Sequence, residues 1–161
     1  MKITQCRSCN SKKLFNVFSL GKQNLTGIFP ISKKHKISSG NLDLVLCKNC
    51  TLLQLKHSFD INEMYGENYG YMSSLNASMI EHLKKKAKSL IKISKIKTKD
   101  IVIDIGSNDG SFLSFFPKKN ILIGVDPTIK KFKKFYRKDI LKVSDFFSFQ
   151  KIKELIGKKK V

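Results

Sequence analysis

The chain has 161 residues, 41% hydrophobic and 27% charged. That balance excludes a disordered polypeptide and allows one ordinary domain, or one small module joined to part of another. No apolar run approaches the ~18 residues of a membrane span, and residues 1–20, broken by Cys6 and Cys9, lack the apolar stretch of a signal peptide, so a cytoplasmic protein without membrane contact is expected. The formal charge of +20 points to anionic partners. Yet 30 of the 32 basic residues are Lys, and only Arg7 and Arg137 carry guanidinium groups. Nucleic-acid sites lean on Arg for bidentate and stacking contacts. With 18 Ile, 10 Asn and only 2 Ala, the lysines read as a compositional skew over solvated surface, and nucleic acid is disfavoured as a partner.

Cys6, Cys9, Cys47 and Cys50 form two Cys-x-x-Cys pairs. In a reducing compartment such pairs read as zinc before disulfide. Two intervening residues let a tight turn aim both sulfurs at one ion, and two such knuckles complete a tetrahedron with Zn–S near ~2.3 Å. Four free thiols, or one redox pair, is the plainer alternative, but neither pair sits in a βαβ pattern. Arg7, Lys12, Lys13 and Lys48 are expected to favour the thiolates. Asn10, after the first knuckle, suits a left-handed turn; Thr51, after the second, does not, so that knuckle is expected to be less regular. His35 and His57 read as surface residues, because four sulfurs fill the shell.

Short β-like runs follow at 14–20, 42–46 and 52–55, punctuated by Gly21, Gly27, Pro30 and Gly40. Residues 1–58 thus read as a β-rich module that depends on its metal. Residues 59–98 comprise an aromatic stretch with Tyr65, Tyr69 and Tyr71, either linker or strap, and a helix over 75–95 with Leu75, Met79, Leu83, Ala87, Leu90 and Ile91 on one face. From residue 99 the pattern alternates: strand 100–105, a short helical piece 111–116 stopped by Pro117, strand 121–125, helix 129–136, strand 140–143, helix 149–156, and Lys160-Val161 opening a fourth strand. This order predicts an α/β fold, a partial Rossmann-like doubly wound parallel sheet over 99–161.

Ligands of such sheets sit at the carboxyl ends of the strands. There the first strand carries Asp104-x-Gly106-x-x-x-Gly110, and Asp126 ends the second strand, 22 residues later, where an acid accepts ribose hydroxyls. Asp145, after the third strand, stands where a side chain meets an adenine amine. The dinucleotide fingerprint Gly-x-Gly-x-x-Gly fails because Asn108 replaces its second glycine, and no Gly-Lys-Ser/Thr phosphate loop is present. S-adenosylmethionine has no pyrophosphate and carries an ammonium that an acid near the first turn can meet, so the loop favours that cofactor.

The four cysteines, Met64-Tyr65-Gly66-Glu67-Asn68-Tyr69-Gly70-Tyr71-x-Ser73-Ser74, the run Ile103 to Gly110, Gly124-Val125-Asp126-Pro127, Leu25-Thr26-Gly27-Ile28-Phe29 and Asp145-Phe146-Phe147 together resemble the S-adenosylmethionine-dependent C-methyltransferases of nucleotide-linked deoxysugars. The resemblance implies a structural zinc held by the cysteines and a class I methyltransferase core. It implies that Gly106, Ser107, Asn108, Asp109 and Gly110 line the methionine part of the cofactor, with Asp104 supporting that loop. Asp126, followed by Pro127, would hold the ribose, Asp145 and Phe146 lie by adenine, and Tyr69, Tyr71 and Ser73 face cofactor and substrate. The implied substrate is a nucleotide-diphospho-sugar methylated on a carbon next to a keto group, through removal of a proton and attack of the resulting enolate on the sulfonium methyl. The acid–base groups and C-terminal lobe of that family have no counterpart in these 161 residues, so no general base is assigned and little methyl transfer by this chain alone is expected. A zinc-ribbon nucleic-acid module and a non-catalytic remnant that binds cofactor or a partner are the other classes. Finally, Asp126→Ala is expected to weaken cofactor binding with the fold intact.

Overall fold

The computed structural model describes residues 1–25, 30, 32–65 and 69–157. Two features of the resemblance, 26–29 and 66–68, and the fourth strand expected at 160–161 lie outside the described residues. The backbone forms two compact units, Met1–Gly70 and Tyr71–Val161.

The first unit is an antiparallel sheet of β1 (Leu14–Asn24), β2 (Ser39–Cys47) and β3 (Leu53–Leu55), in that order. β1 and β2 run longer than the sequence pattern indicates. Gly21 and Gly40 do not end them; both lie inside the ladder. Gly21 takes φ +66° within a bulge between Ser19 and Lys22, where a left-handed residue is absorbed as extra twist. Direct partners share a face: Cys47 and Val45 point to the buried side, while Phe15, Leu46 and Leu53 form a row on the other. Helix α1 (Ile61–Tyr65) is a single turn whose first N–H groups, those of Asn62 and Glu63, donate to the Asp60 carboxylate, each at 2.9 Å.

In the second unit helix α2 spans Ala77–Ser94. Asn76 caps it by accepting from Ser78 N, and Lys95 ends it in the left-handed conformation. The expected stripe is inward at Met79, Leu83, Ala87, Leu90 and Ile91, whereas Leu75 precedes the helix in a 3-10 turn (Ser73–Leu75) and is 72% exposed. A parallel sheet follows: β4 (Ile101–Ile105), β5 (Ile121–Val125) and β6 (Leu141–Val143), in register and in sequence order. Its strands alternate between two covered faces. Val102 and Leu122 pack with Ala87, Leu113, Phe116, Ile129 and Ile140 on one side. Ile101, Ile103, Ile123, Val125 and Val143 pack with Ile152 of α4 (Phe149–Ile156) on the other. Helix cover on both faces of a parallel sheet is the arrangement the sequence order implies. Between β5 and β6, α3 (Ile129–Phe132) tightens into a 3-10 turn (Lys133–Phe135) in place of one continuous helix.

Candidate metal centre and cofactor site

The four cysteine sulfurs lie within 4.8 Å of one another. Cys6–Cys50 and Cys9–Cys47 are each 3.6 Å apart, too far for a disulfide and close to the edge, about 3.8 Å, of a tetrahedron with zinc–sulfur bonds of ~2.3 Å. The two knuckles repeat one geometry. Asn10 N donates to Cys6 O and Thr51 N to Cys47 O, at 3.0 and 2.9 Å; Cys6 N donates to Ser11 O and Cys47 N to Leu52 O, at 2.9 and 3.0 Å. Asn10 and Thr51 take φ of 57° and 61°. The second knuckle is therefore as regular as the first, and Thr51 absorbs the strain of a β-branched residue there.

The groups that bond the sulfurs are not the cations the sequence pointed to. Gln54 Nε2 donates to Cys6 Sγ at 3.2 Å, Ser8 N to the same sulfur at 3.4 Å, and Asn49 Nδ2 to Cys9 Sγ at 3.6 Å. Arg7 instead donates to Gln54 Oε1, Leu55 O, His57 O and Ser58 Oγ, and so fixes Gln54 from behind. Lys48 lies over the Phe15 ring. The Cys9 backbone N–H, with help from Ser8, Gln54 and Cys50, holds the Cys6 thiol down at about 6 against the opposing effect of burial. The Leu52 N–H also favours the Cys50 thiolate, but Cys9, burial and the other two sulfurs outweigh it and push that thiol up to about 12. Four sulfurs this close cannot all ionise unaided, and a divalent cation resolves the conflict. The donor set, spacing and amide support fit zinc.

The second site lies at the carboxyl ends of β4 and β5. Gly106 N and Ser107 N donate to Val125 O at 2.8 and 3.3 Å, folding loop 106–110 back onto β5. Gly106, Asn108 and Gly110 take φ of 81°, 50° and 76°, which glycine and asparagine accept most readily. Asn108 N donates to Asp126 Oδ2 at 2.9 Å, and Thr128 donates to Asp126 Oδ1 through its N–H at 2.7 Å and its hydroxyl at 2.5 Å. Asp126 is thus buried and pins the loop, so its removal damages the fold as well as any ligand contact. Pro127 follows it into the turn before α3.

Asp104 differs. Among the described residues no hydrogen bond or ion pair reaches its carboxylate, so it does not brace the loop. Burial, and then the charge of Asp126, push it up to about 6.

Asn108 and Asp109 turn toward segment 71–75. Asn108 Oδ1 accepts from Ser73 N at 2.9 Å, Asn108 Nδ2 donates to Tyr71 O at 3.1 Å, and Asp109 Oδ2 accepts from Ser74 N at 2.8 Å. Asp145 accepts from Phe146 N at 2.7 Å and pairs with Lys151. The structure therefore brings Asp104, loop 106–110, Asp126, Tyr71 and Ser73 into one network or its immediate edge, and leaves Asp145 and Phe146 past the end of β6.

Tyr136 went unrecognised in the sequence. Its hydroxyl lies 2.7 Å from Ser107 Oγ and donates to Asn108 O at 2.9 Å. Its ring fills the space a Cβ on Gly110 or Gly124 would need, at 2.7 and 2.9 Å. Burial holds the phenol well above its ordinary pKa, against the Ser107 hydrogen bond. Its only sequence signal was Gly124 inside β5, which implies a close neighbour without naming it.

Residues 6–65 match the Methyltransf_13 family model, described as "Putative zinc binding domain". The chain is also similar to the C-methyltransferase NovU of Streptomyces niveus, 29% identical over 130 residues, which covers 78% of this chain and 30% of that protein. The chain thus spans less than a third of the length of the curated relative it matches. The first match is a likeness to a zinc-binding segment and the second a likeness to a C-methyltransferase. No described helix is long and apolar enough to cross a membrane.

Proposed function

We propose that this chain carries the structural zinc module and the S-adenosylmethionine-binding loop of a C-methyltransferase that acts in the cytoplasm on a keto-deoxysugar linked to a nucleotide diphosphate. The observation that carries the reading is the carboxyl of Asp104, without a hydrogen-bond or ion-pair partner among the described residues, beside the pinned Asp126 at the carboxyl ends of adjacent parallel strands, in a chain similar to a C-methyltransferase. The functional division is 1–58 for zinc, 59–98 for strap and helix, and 99–161 for the cofactor.

When bound, S-adenosylmethionine supplies an electrophilic methyl group for a carbon made acidic by a neighbouring keto group. In this reading Asp104 receives the ammonium of the methionine end, which lies against Gly106, Ser107 and Gly110. Asp126 offers the remaining lone pairs of its carboxylate to the ribose, and Asp145 and Phe146 flank adenine. Tyr71 and Ser73 approach from the strap. The cysteine cage keeps the N-terminal module folded and takes no part in the chemistry, since four protein sulfurs leave no open position on the metal. No base is assigned, and turnover by these 161 residues alone is expected to be absent.

Calorimetric titration with S-adenosylhomocysteine tests the reading. Saturable binding that Asp104→Asn weakens at least tenfold supports it, a loss in line with an ion pair to a half-buried acid. Absence of binding to the wild-type chain, or an unchanged Asp104→Asn, would overturn it. Methyl transfer to a keto-sugar nucleotide by the isolated chain would overturn the expectation of inactivity.

A further inference from the structure

Asn108 and Asp109 are the most polar side chains of loop 106–110, and they are 7% and 1% exposed. A ligand-lining amide and carboxylate would keep hydrogen-bonding capacity free on the ligand side. Here that capacity is largely spent inside the protein. The Asn108 carboxamide accepts from Ser73 N at 2.9 Å and donates to Tyr71 O at 3.1 Å. Asp109 divides its oxygens, taking Ser74 N at 2.8 Å on Oδ2 and Ser111 N at 3.0 Å on Oδ1. Three of the four residues 71–74, all but Met72, are thus tied by their backbones to two consecutive side chains of the loop. From behind, Tyr136 fixes the same peptide by donating to Asn108 O at 2.9 Å. Recognition through backbone N–H and C=O explains why side-chain reasoning missed it: Ser74 takes part through an N–H that every residue except proline possesses.

We propose that Asn108 and Asp109 are positioning residues that fasten segment 71–75 to loop 106–110, and that the fastened segment, in place of their own side chains, confines the methionine end of the bound cofactor. The inference rests on the cofactor reading above and assigns two of its residues a different task. Binding energy then depends on the latch being closed before the ligand arrives, because an open segment must be ordered at the expense of affinity.

Ser73→Pro isolates the latch. Met72 is extended, with φ −133° and ψ 127°, the conformation a residue before proline prefers. Position 73 is the first of its 3-10 turn, where proline's fixed φ is tolerated. The substitution therefore deletes the N–H that Asn108 accepts and leaves the backbone path open. Ser73→Ala removes the hydroxyl alone and measures its separate share. The probe is S-adenosylhomocysteine, with affinity by calorimetry and backbone protection by hydrogen exchange.

The expected result is that Ser73→Pro binds about fivefold more weakly than Ser73→Ala, the worth of one buried hydrogen bond. Exchange should quicken in segment 71–75 while β4 and β5 keep their protection. Asp109→Asn, which turns an amide toward the Ser74 N–H or the Ser111 N–H, should reproduce both effects from the loop side and serves if the proline variant fails to fold. Equal affinities for Ser73→Pro and Ser73→Ala, with normal wild-type binding, overturn this inference alone. Absence of wild-type binding overturns the cofactor reading and the inference with it. A fall in melting temperature without a change in affinity would make the contacts merely structural and also overturn it.

Discussion

Single residues at both sites hold conformations or charges that cost stability. Thr51 takes φ 61° at a place where its counterpart is Asn10. Replacing it with Asn should stabilise the metal-loaded protein by about 1 kcal/mol, read as a rise in melting temperature at unchanged zinc content. Asp104 costs more. Its pKa is raised to about 6 by burial and by Asp126, above the unfolded value of about 3.9. The folded state therefore binds the proton more tightly. The penalty is fully present above pH 6, shrinks as pH falls, and is gone below pH 4. Asp104→Asn should stabilise the unliganded chain at pH 7 by about 3 kcal/mol, with the difference from wild type vanishing below pH 4 in urea titrations. The same substitution should weaken cofactor binding, and wild-type affinity should itself fall below pH 6 as the carboxyl takes up its proton. A stability gain paired with a binding loss is the signature of a group kept for function.

At the scale of elements, each site is a turn tied to a strand end. The knuckles at 6–9 and 47–50 share backbone bonds and a metal. Cys47→Ser should release zinc and unfold β1–β3, since metal binding in a module this size is folding energy. Loss of the single equivalent of zinc by elemental analysis, with loss of exchange protection across β2, checks it. Gln54→Ala, which removes the amide donor to Cys6, should weaken zinc affinity about tenfold without unfolding the loaded protein. In the second unit the β4 turn depends on Asp126, whose carboxylate accepts two backbone N–H groups and one hydroxyl. Asp126→Ala strands those donors and should destabilise the unit by about 2 kcal/mol. That is more than a pure ligand contact would cost, and a midpoint shift in urea unfolding measures it. The placement of the turn was legible, because a buried strand followed by Asp-x-Gly and a matching acid at the end of the next strand recur at fixed spacing. The bracing of the turn was not, because Tyr136, Thr128 and Ser74 reach it from other elements.

For the molecule as a whole, composition already set the terms. Ile101, Ile103, Ile121, Ile123 and Val125 alternate with residues of the opposite face, and continuous apolar strands of this kind require cover on both sides. Where cover ends, apolar surface remains. Ile105 is 59% exposed, and it lines an open hollow with Ile103, Phe147, Phe149, Ile152 and Ile156. Ile105→Lys should reduce aggregation in light scattering with little change in melting temperature, because the residue buries little to lose.

Spacing along the chain determined the local chemistry: which four residues can share a metal, which strands lie parallel, and which acids end them. Those are properties of neighbours in sequence, where a tight turn or a strand period fixes geometry within a few residues. Long-range packing decided the rest. It gave the sulfurs Gln54 and Asn49 in place of cations, left the Asp104 carboxyl without a partner among the described residues while Asn108 and Thr128 engaged Asp126, and turned Asn108 and Asp109 toward segment 71–75. The bonds that Gln54, Asn49, Asp126 and segment 71–75 make to the sulfurs and the loop join residues 18 to 48 positions apart, and no local pattern specifies which of many competent donors arrives there.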